Sequence, residues 1–393
     1  MVPLPARRAL LAAALGPAGR GRLPRHHAPA AAARPFSGAG GQEEAEGASR
    51  ATAMLRHLLL KLRATGPVTV AEYMREALTN PGQGYYTRRG GIGESGDFVT
   101  SPEISQVFGE LIGIWYISEW IAMGKPKAFQ LVELGPGRGT LTDDILRVFK
   151  QLASLLSKCD VSIHLVEVSP KLSEIQALML TGGKVQSNPE DKSAYMKGVS
   201  KTGIPISWYR DIQDVPPGYS FYLAHEFFDA LPIHKFQKTE KGWREVLVDI
   251  DPDVPDQLRF VLSPSSTPAT ENFVQPEETR DHVEVCPEAG VIIQRLACRI
   301  EKDGGAALVA DYGHDGTKTD TFRVLLQNSR DTATHEQLLH SYDMLMNPKK
   351  MGDRFNFFAL LPHHRLADPD KKHKPESKSP LPPVAGFGEL LLK

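Results

Sequence analysis

Cysteine is scarce in this 393-residue chain: Cys159, Cys286 and Cys298 are all there are, an odd number with no C-x-x-C spacing. That excludes a disulfide framework and a thiolate zinc site and leaves reduced, structural thiols. An excess of either charge is also missing, with 46 basic residues against 47 acidic ones. No global field draws the chain to nucleic acid or to an anionic membrane, so a basic substrate has to be recognised locally. Long apolar runs are absent too. The most apolar stretch, Val107–Met123, carries Glu110 and Glu119 and reads as a buried helix, so no membrane insertion is expected. No H-E-x-x-H pair exists, because the residue four beyond His225 is Asp229, and no metal site is expected. We find no internal repeat.

One local absence is informative. No acidic residue precedes Glu43, while Arg7, Arg8, Arg20, Arg22, Arg25 and Arg34 stand among alanines, glycines and prolines. Residues 1–50 therefore read as a disordered mitochondrial targeting segment, with Arg34-Pro35-Phe36-Ser37 resembling a matrix-protease cleavage site. Leu10–Leu15 also suits a secretory signal, but Gly16-Pro17 cuts it short and arginines continue beyond it. With 41% hydrophobic residues the rest can bury one large or two moderate cores. We divide it into an N-terminal helical and lid region (51–125), an α/β core (126–322), a C-terminal remainder of that core (323–366) and a disordered proline- and lysine-rich tail (367–393).

The spacing of apolar residues predicts helices over Ala53–Leu62 and Val70–Leu78. Asn80–Gly96 is too rich in glycine for either regular element and reads as a surface turn or a lid. Ser101 suits an N-cap and Pro102 the first position of a helix whose buried stripe is Ile104, Val107, Phe108, Leu111, Trp115 and Ala122, widened by Tyr116 and Trp120. Further helices are expected over Leu141–Leu156, from Ser169-Pro170, over Pro287–Ile300 on an apolar face of Val291, Leu296 and Ile300, and over Glu336–Met346. Strands are expected at Ser162–Val168, Ile206–Tyr209, Ser220–Ala224, Ala306–Ala310 and Phe355–Leu361. Ala177–Gly203 reads as a polar connection, and Trp243–Ile250 with Leu258–Leu262 as an inserted antiparallel hairpin.

Leu131–Leu141, LVELGPGRGTL, joins an apolar strand to a helix through three alternate glycines, Gly135, Gly137 and Gly139. They let the backbone turn tightly, and the helix behind them offers unpaired N–H groups to a ligand. A dinucleotide fingerprint needs glycine at 140 and finds Thr140, and its ribose acid should come sooner than Glu167. The pattern acid-x-G-x-G-x-G with a second acid ending the next strand is instead that of S-adenosylmethionine-dependent methyltransferases. Here Glu133 is the first acid and Glu167, in SIHLVEVSP, the second.

Beyond the carboxyl end of the Ser220–Ala224 strand stands HEFFDALP, where functional groups of open α/β sheets lie. Glu226 and Asp229 are the candidates for chemistry, unless they are only helix-start carboxylates favoured by the dipole. Asp311-Tyr312-Gly313-His314 ends another strand in the same way, with His314 read as a solvated loop residue.

GDFVTSPEISQVFGE (Gly96–Glu110), LVELGPGRGTL, LVEVSP, HEFFDALP, VADYGHDGT (Val309–Thr317) and NPKKMGDRFNFFALLPH (Asn347–His363) resemble, in order, the MidA-type methyltransferase family. The resemblance runs from about Leu62 to Phe322 and from about Gln337 to Pro362. It implies a class I, Rossmann-like methyltransferase sheet, S-adenosylmethionine as cofactor, a mitochondrial matrix location and symmetric dimethylation of an arginine on a subunit of respiratory complex I, needed for its assembly. Glu133, Gly135, Gly137, Gly139 and Glu167 are then expected around the cofactor, Gly96, Asp97 and Ser101 on its N-terminal side, and Glu226 and Asp229 at a guanidinium. The chain departs from the family after Phe322, where a stretch of helices and loops is missing. A non-catalytic assembly protein and a nicotinamide-dependent dehydrogenase are the alternatives.

Overall fold

The computed structural model describes residues 52–88, 100–188, 190, 193–254, 256–312 and 355–360. The targeting segment, Gly96, Asp97, His314, the helix expected at Glu336–Met346 and the tail lie outside the described residues. The first helices are α1 (Ala53–Thr65) and α2 (Val70–Thr79), separated by β1 (Val68–Thr69). Threonine caps both: Thr52 accepts from the Leu55 N–H and Thr69 from the Glu72 N–H, each at 3.1 Å. A short α3 (Tyr85–Arg88) follows, then α4 (Ser101–Ile104) and α5 (Gln106–Ala122). The single helix expected from Ser101 is thus two, broken where Ser105 is extended at φ −151°, and Thr100 rather than Ser101 holds the N-cap position.

Next come β2 (Ala128–Leu134), α6 (Thr140–Gln151), α7 (Ala153–Leu156), β3 (Asp160–Val166), α8 (Pro170–Thr181), β4 (Val185–Ser187), β5 (Met196–Val199), β6 (Pro205–Tyr209) and β7 (Ser220–His225). After an insertion of β8 (His234–Thr239), β9 (Gly242–Ile250), β10 (Leu258–Leu262), α9 (Pro268–Phe273) and β11 (His282–Val285), the core resumes with α10 (Pro287–Asp303), β12 (Gly305–Tyr312) and β13 (Phe355–Leu360). The main sheet has the order β13-β12-β7-β2-β3-β6-β5-β4. The five strands from β12 to β6 are parallel, β13 and β5 run antiparallel to them at the two sides, and β4 pairs antiparallel with β5 at the edge. Ser220–His225 is buried at every position, as expected of a strand covered on both faces. Alternate residues fill opposite layers. Phe129, Leu131, Ile163, Leu165, Phe221 and Leu223 meet α5, α6 and α8, while Val132, Leu134, Val166, Tyr222 and Ala224 meet α10. The chain leaves β2 toward β3 and later returns to β7 on its other side, which opens a crevice between the carboxyl ends of β2 and β7.

The hairpin expected in the insertion is present, with Phe260 opposite Val248, but it belongs to a five-stranded antiparallel sheet, β1-β9-β8-β11 with β10 also on β9. Val68 in β1 pairs with Val248 in β9, so the N-terminal helices pack against the insertion through Leu58, Leu62, Tyr73, Met74, Val246 and Val248. Two strands were missed within Ala177–Gly203, β4 and β5, which extend the edge of the sheet, and the helix expected from Ser169-Pro170 runs on into this stretch, to Thr181. Both strands are very short, and their residues show no apolar alternation to read. Among the described residues no helix is long and apolar enough to cross a membrane.

The buried stripe of α5 is also corrected. Val107 is 55% exposed and Leu111 38%, whereas Ile112, Tyr116, Ile117 and Trp120 face the core. This helix is apolar nearly all round, so periodicity could not choose a face; glycine did. A Cβ on Gly109 would lie 2.5 Å from the Asp144 Cβ and one on Gly113 3.1 Å from the Val148 Cβ, so α5 seats against α6 along its glycines. In α10 Val291 is likewise 46% exposed, and Leu296 and Ile300 carry the face. We expect Gly109→Ala, which favours an isolated helix by roughly 0.5–1 kcal/mol, to destabilise this protein by about 1–3 kcal/mol through overpacking. Thermal unfolding checks it: a raised Tm contradicts the close approach.

Candidate active site at the carboxyl ends of the parallel strands

Register brings the acids together. Leu134 of β2 stands opposite Val166 of β3 and Ala224 of β7, and His225 opposite Ala310 of β12. Gly135, Glu167 and Glu226 therefore emerge side by side just past the strand ends, with Asp311 beside them near the end of β12. Gly135, Gly137 and Gly139 have φ of 63°, 55° and 90°, the left-handed region that the sequence reserved for them. Gly139 is the N-cap of α6, and among the described residues no side chain caps that helix, so its first N–H groups point into the crevice.

The two acids of the loop pattern occupy different surroundings. Glu133 is 2% exposed, within β2, and accepts a very short hydrogen bond from the Thr142 hydroxyl on α6. Burial pushes its carboxyl up to about 7, against the pull of Thr142. It ties strand to helix beneath the loop. Glu167, following β3, accepts from the Ser169 N–H at 2.7 Å and from Gln176 Nε2 at 3.1 Å, and burial pushes it too to about 7. Gln176 is a connection that the sequence did not announce. Wholly buried on α8, it also donates to the Gly137 carbonyl at 2.7 Å and accepts from Trp208 Nε1 at 3.0 Å, locking the glycine loop to the second acid. Glu103 of α4 was missed as well: it accepts from the Thr140 hydroxyl at 2.5 Å, at the position where a dinucleotide loop would carry glycine.

The HEFFDALP turn is not a helix start. Glu226 has φ 48° and donates its N–H to Ala310 at 3.0 Å, and Phe227 places its ring 2.7 Å from where a Cβ on Gly135 would be. Glu226 Oε1 is buried with no hydrogen-bond partner among the described residues. Burial, then the nearby Asp229, push its carboxyl up to about 8, while the Ser101 N–H pulls it down. Ser101 is thus brought to the acidic turn. Asp229 stands at the solvent edge; the surrounding protein and then Asp311 push its carboxyl up to about 7. His225 Nε2 lies 3.5 Å from Glu226 Oε1, but burial drives the imidazole down to about 4, so at neutral pH this approach is not an ion pair. The Tyr86 and Tyr312 phenols face the same acids and are held far above their usual range by burial and by those negative neighbours. Tyr86 arrives from α3 through a bond from the Ser169 hydroxyl to its carbonyl, 2.8 Å long. Three carboxyls gathered with phenols and phenyl rings can receive a cation, and the neighbouring loop can receive a small ligand.

The family described as "Putative S-adenosyl-L-methionine-dependent methyltransferase" matches residues 111–345. The chain belongs to this family. It is 58% identical to human and bovine proteins named mitochondrial protein arginine methyltransferase NDUFAF7, each alignment covering 89% of this chain and 92% of the relative. A crystal structure from Burkholderia thailandensis, bound to S-adenosyl-homocysteine, superposes with a TM-score of 0.55 at 18% identity, over 79% of this chain and 92% of that one, and shares the fold. S-adenosylmethionine is accordingly the cofactor of the family and methyl transfer its reaction, which sets aside the dehydrogenase alternative. The residues present fit that cofactor. The uncapped N–H groups of α6 and the left-handed glycines can meet its amino acid part, and Glu167 keeps acceptor lone pairs for ribose hydroxyls. The alignment with the human relative extends over 413 positions, more than the chain has, so the relative carries residues that this chain lacks.

Proposed function

We propose that this protein methylates arginine on a protein substrate, symmetrically and on a subunit of complex I, in the mitochondrial matrix. The observation that carries the reading is the gathering of Glu226, Asp229 and Asp311 at one turn, whose Phe227 ring packs against Gly135 of the glycine loop. The names of the relatives and the arginine-rich segment before Glu43 support the substrate class and the compartment.

When bound, S-adenosylmethionine supplies an electrophilic methyl group, and transfer forms an N–C bond, breaks the C–S bond and leaves the thioether. Gly135, Gly137, Gly139, Glu167 and, through Gln176, the whole loop hold it, with Glu133 bracing the loop from beneath. Glu226 and Asp229 accept hydrogen bonds from the guanidinium, aim one nitrogen at the methyl group and stabilise the added positive charge. The proton released from the methylated nitrogen passes to one of these two carboxylates. Ser101 steadies Glu226, while Gly96 and Asp97, expected on the cofactor side, lie outside the described residues.

A pH dependence follows. Their surroundings push the Glu226 and Asp229 carboxyls up to about 8 and about 7, so they hold protons below that range and must lose them to receive a cation. We expect kcat/KM to climb with pH from about 6 and to level off above about 9, a unit past the higher of the two values. A flat profile between pH 6 and 8 contradicts the assignment.

The reading is tested by mass spectrometry of complex I subunits from cells lacking the protein, with and without this chain restored. Dimethyl-arginine returning on a subunit supports it, and methylation identical in both samples overturns it. A non-catalytic assembly role has one observation in its favour, the residues present in the relative and absent here. Restored complex I without restored methylation would select that role.

A further inference from the structure

Asp311 is the penultimate residue of β12 and is 5% exposed. Its Oδ2 accepts from three consecutive main-chain N–H groups, Phe227 at 3.1 Å, Phe228 at 2.8 Å and Asp229 at 3.4 Å, and its Oδ1 from the Tyr312 N–H at 2.7 Å. We propose that Asp311 is a positioning residue: it gathers the main chain of the Glu226–Asp229 turn around its own carboxylate and so sets where those two acidic side chains stand. What the two acids meet rests on the arginine-methylation reading; the geometry of the turn does not.

The turn needs such an acceptor. Glu226 in the left-handed region ends the ladder of β7 and aims the next N–H groups away from the sheet. Consecutive N–H groups turned the same way form a concave donor site for an anion, and left unanswered in a half-buried place each would cost about 1–3 kcal/mol. One buried carboxylate answers them all. It comes from a neighbouring strand, 82 to 84 residues along the chain, so the acidic turn is locked to β12 rather than to its own strand.

A chemical consequence follows. The negative charge of Asp311 helps to push the Asp229 carboxyl up, and two carboxyls that face one site hold one proton between them. Because main-chain N–H groups already stabilise the charge on Asp311, the shared proton sits on Asp229, and a cation entering the pocket displaces it. The other groups facing the pair are Glu226 from the same turn, with His225 neutral behind it, Tyr86 from α3 and Tyr312 from β12, both uncharged phenols, and Glu167 beyond Tyr86.

The test compares wild type, Asp311→Ala and Asp311→Asn, using S-adenosylmethionine labelled in its methyl group and complex I isolated from cells lacking the protein. Rates are normalised to enzyme that binds S-adenosylmethionine by calorimetry. Asp311→Ala should lower kcat by about 100-fold, the scale of a displaced catalytic group, with the KM for S-adenosylmethionine nearly unchanged. Asp311→Asn should lower it only about 10-fold, since its amide oxygen still accepts from the turn while its NH2 meets the Tyr312 N–H. With the negative neighbour of Asp229 gone, the acid limb of kcat/KM in Asp311→Asn should also move to lower pH. A merely structural role would lower Tm and leave both kcat per binding-competent enzyme and the acid limb where they are, and that result overturns the proposal. If Asp311→Ala fails to bind S-adenosylmethionine, Asp311→Asn decides by the same two readouts. A wild type that binds S-adenosylmethionine but transfers no methyl group to arginine overturns the arginine reading instead.

Discussion

Glu226→Gln is expected to lower the rate of methyl transfer by about 100- to 1,000-fold, the cost of removing one preorganised charge-stabilising group, while S-adenosylmethionine still binds. Three features make Glu226 the more sensitive acid. It is buried more deeply than Asp229, its Oε1 has no partner among the described residues, and its backbone at φ 48° holds the side chain in one place. A buried acceptor without a donor is costly in the free protein and becomes favourable when a guanidinium arrives. Glutamine keeps the shape and one carbonyl oxygen, but it turns the other acceptor into a donor facing a cation. Asp229→Asn should cost less, because water reaches Asp229 and Asp311 remains beside it. The measurement is single-turnover transfer at saturating S-adenosylmethionine. A Glu226→Gln enzyme with undiminished transfer removes Glu226 from the chemistry.

Gly135→Val should weaken S-adenosylmethionine binding by about 100-fold and reduce transfer along with it. Two penalties coincide. A β-branched residue at φ 63° is strained by about 1–3 kcal/mol, and its Cβ would stand 2.7 Å from the Phe227 Cδ2. The ring cannot retreat freely, since Phe227 lies in the turn that Asp311 holds by its N–H groups. Relief on one side displaces the glycine loop, and relief on the other displaces Glu226. Calorimetry with S-adenosylmethionine measures the first and the transfer assay the second. Where the valine variant does not fold, Gly135→Ala carries the same prediction in milder form. Wild-type affinity in a folded variant would show that the loop does not hold the cofactor.

The sequence was legible where one strand explains itself. The run at Ser220–Ala224, closed by Pro216-Pro217-Gly218 on one side and HEFF on the other, reads as a buried strand and is one. The loop glycines announce positive φ because other residues rarely adopt it, and all three do. It was less legible in α5, where apolar residues on every side left the face to be chosen by how closely Gly109 and Gly113 admit α6. It was silent for Gln176 and Glu103, ordinary helix residues whose importance lies in partners 39 and 37 positions away. For the HEFFDALP turn, acids after a strand suit a helix start as well as a left-handed turn, and only the anchor on β12 selects the turn.

By itself, then, the sequence marked the candidates: the acid-x-G-x-G-x-G loop, the acid that ends the next strand, and the acids after His225. Local backbone preference and strand periodicity are enough for that, because each is written within a few neighbouring residues. Only the tertiary structure decided that these pieces form one site, and that Asp311 belongs to it. Parallel pairing aligns the ends of strands that are far apart in the chain, and this register, fixed by the burial of alternate side chains across the whole sheet, is a property of no single segment.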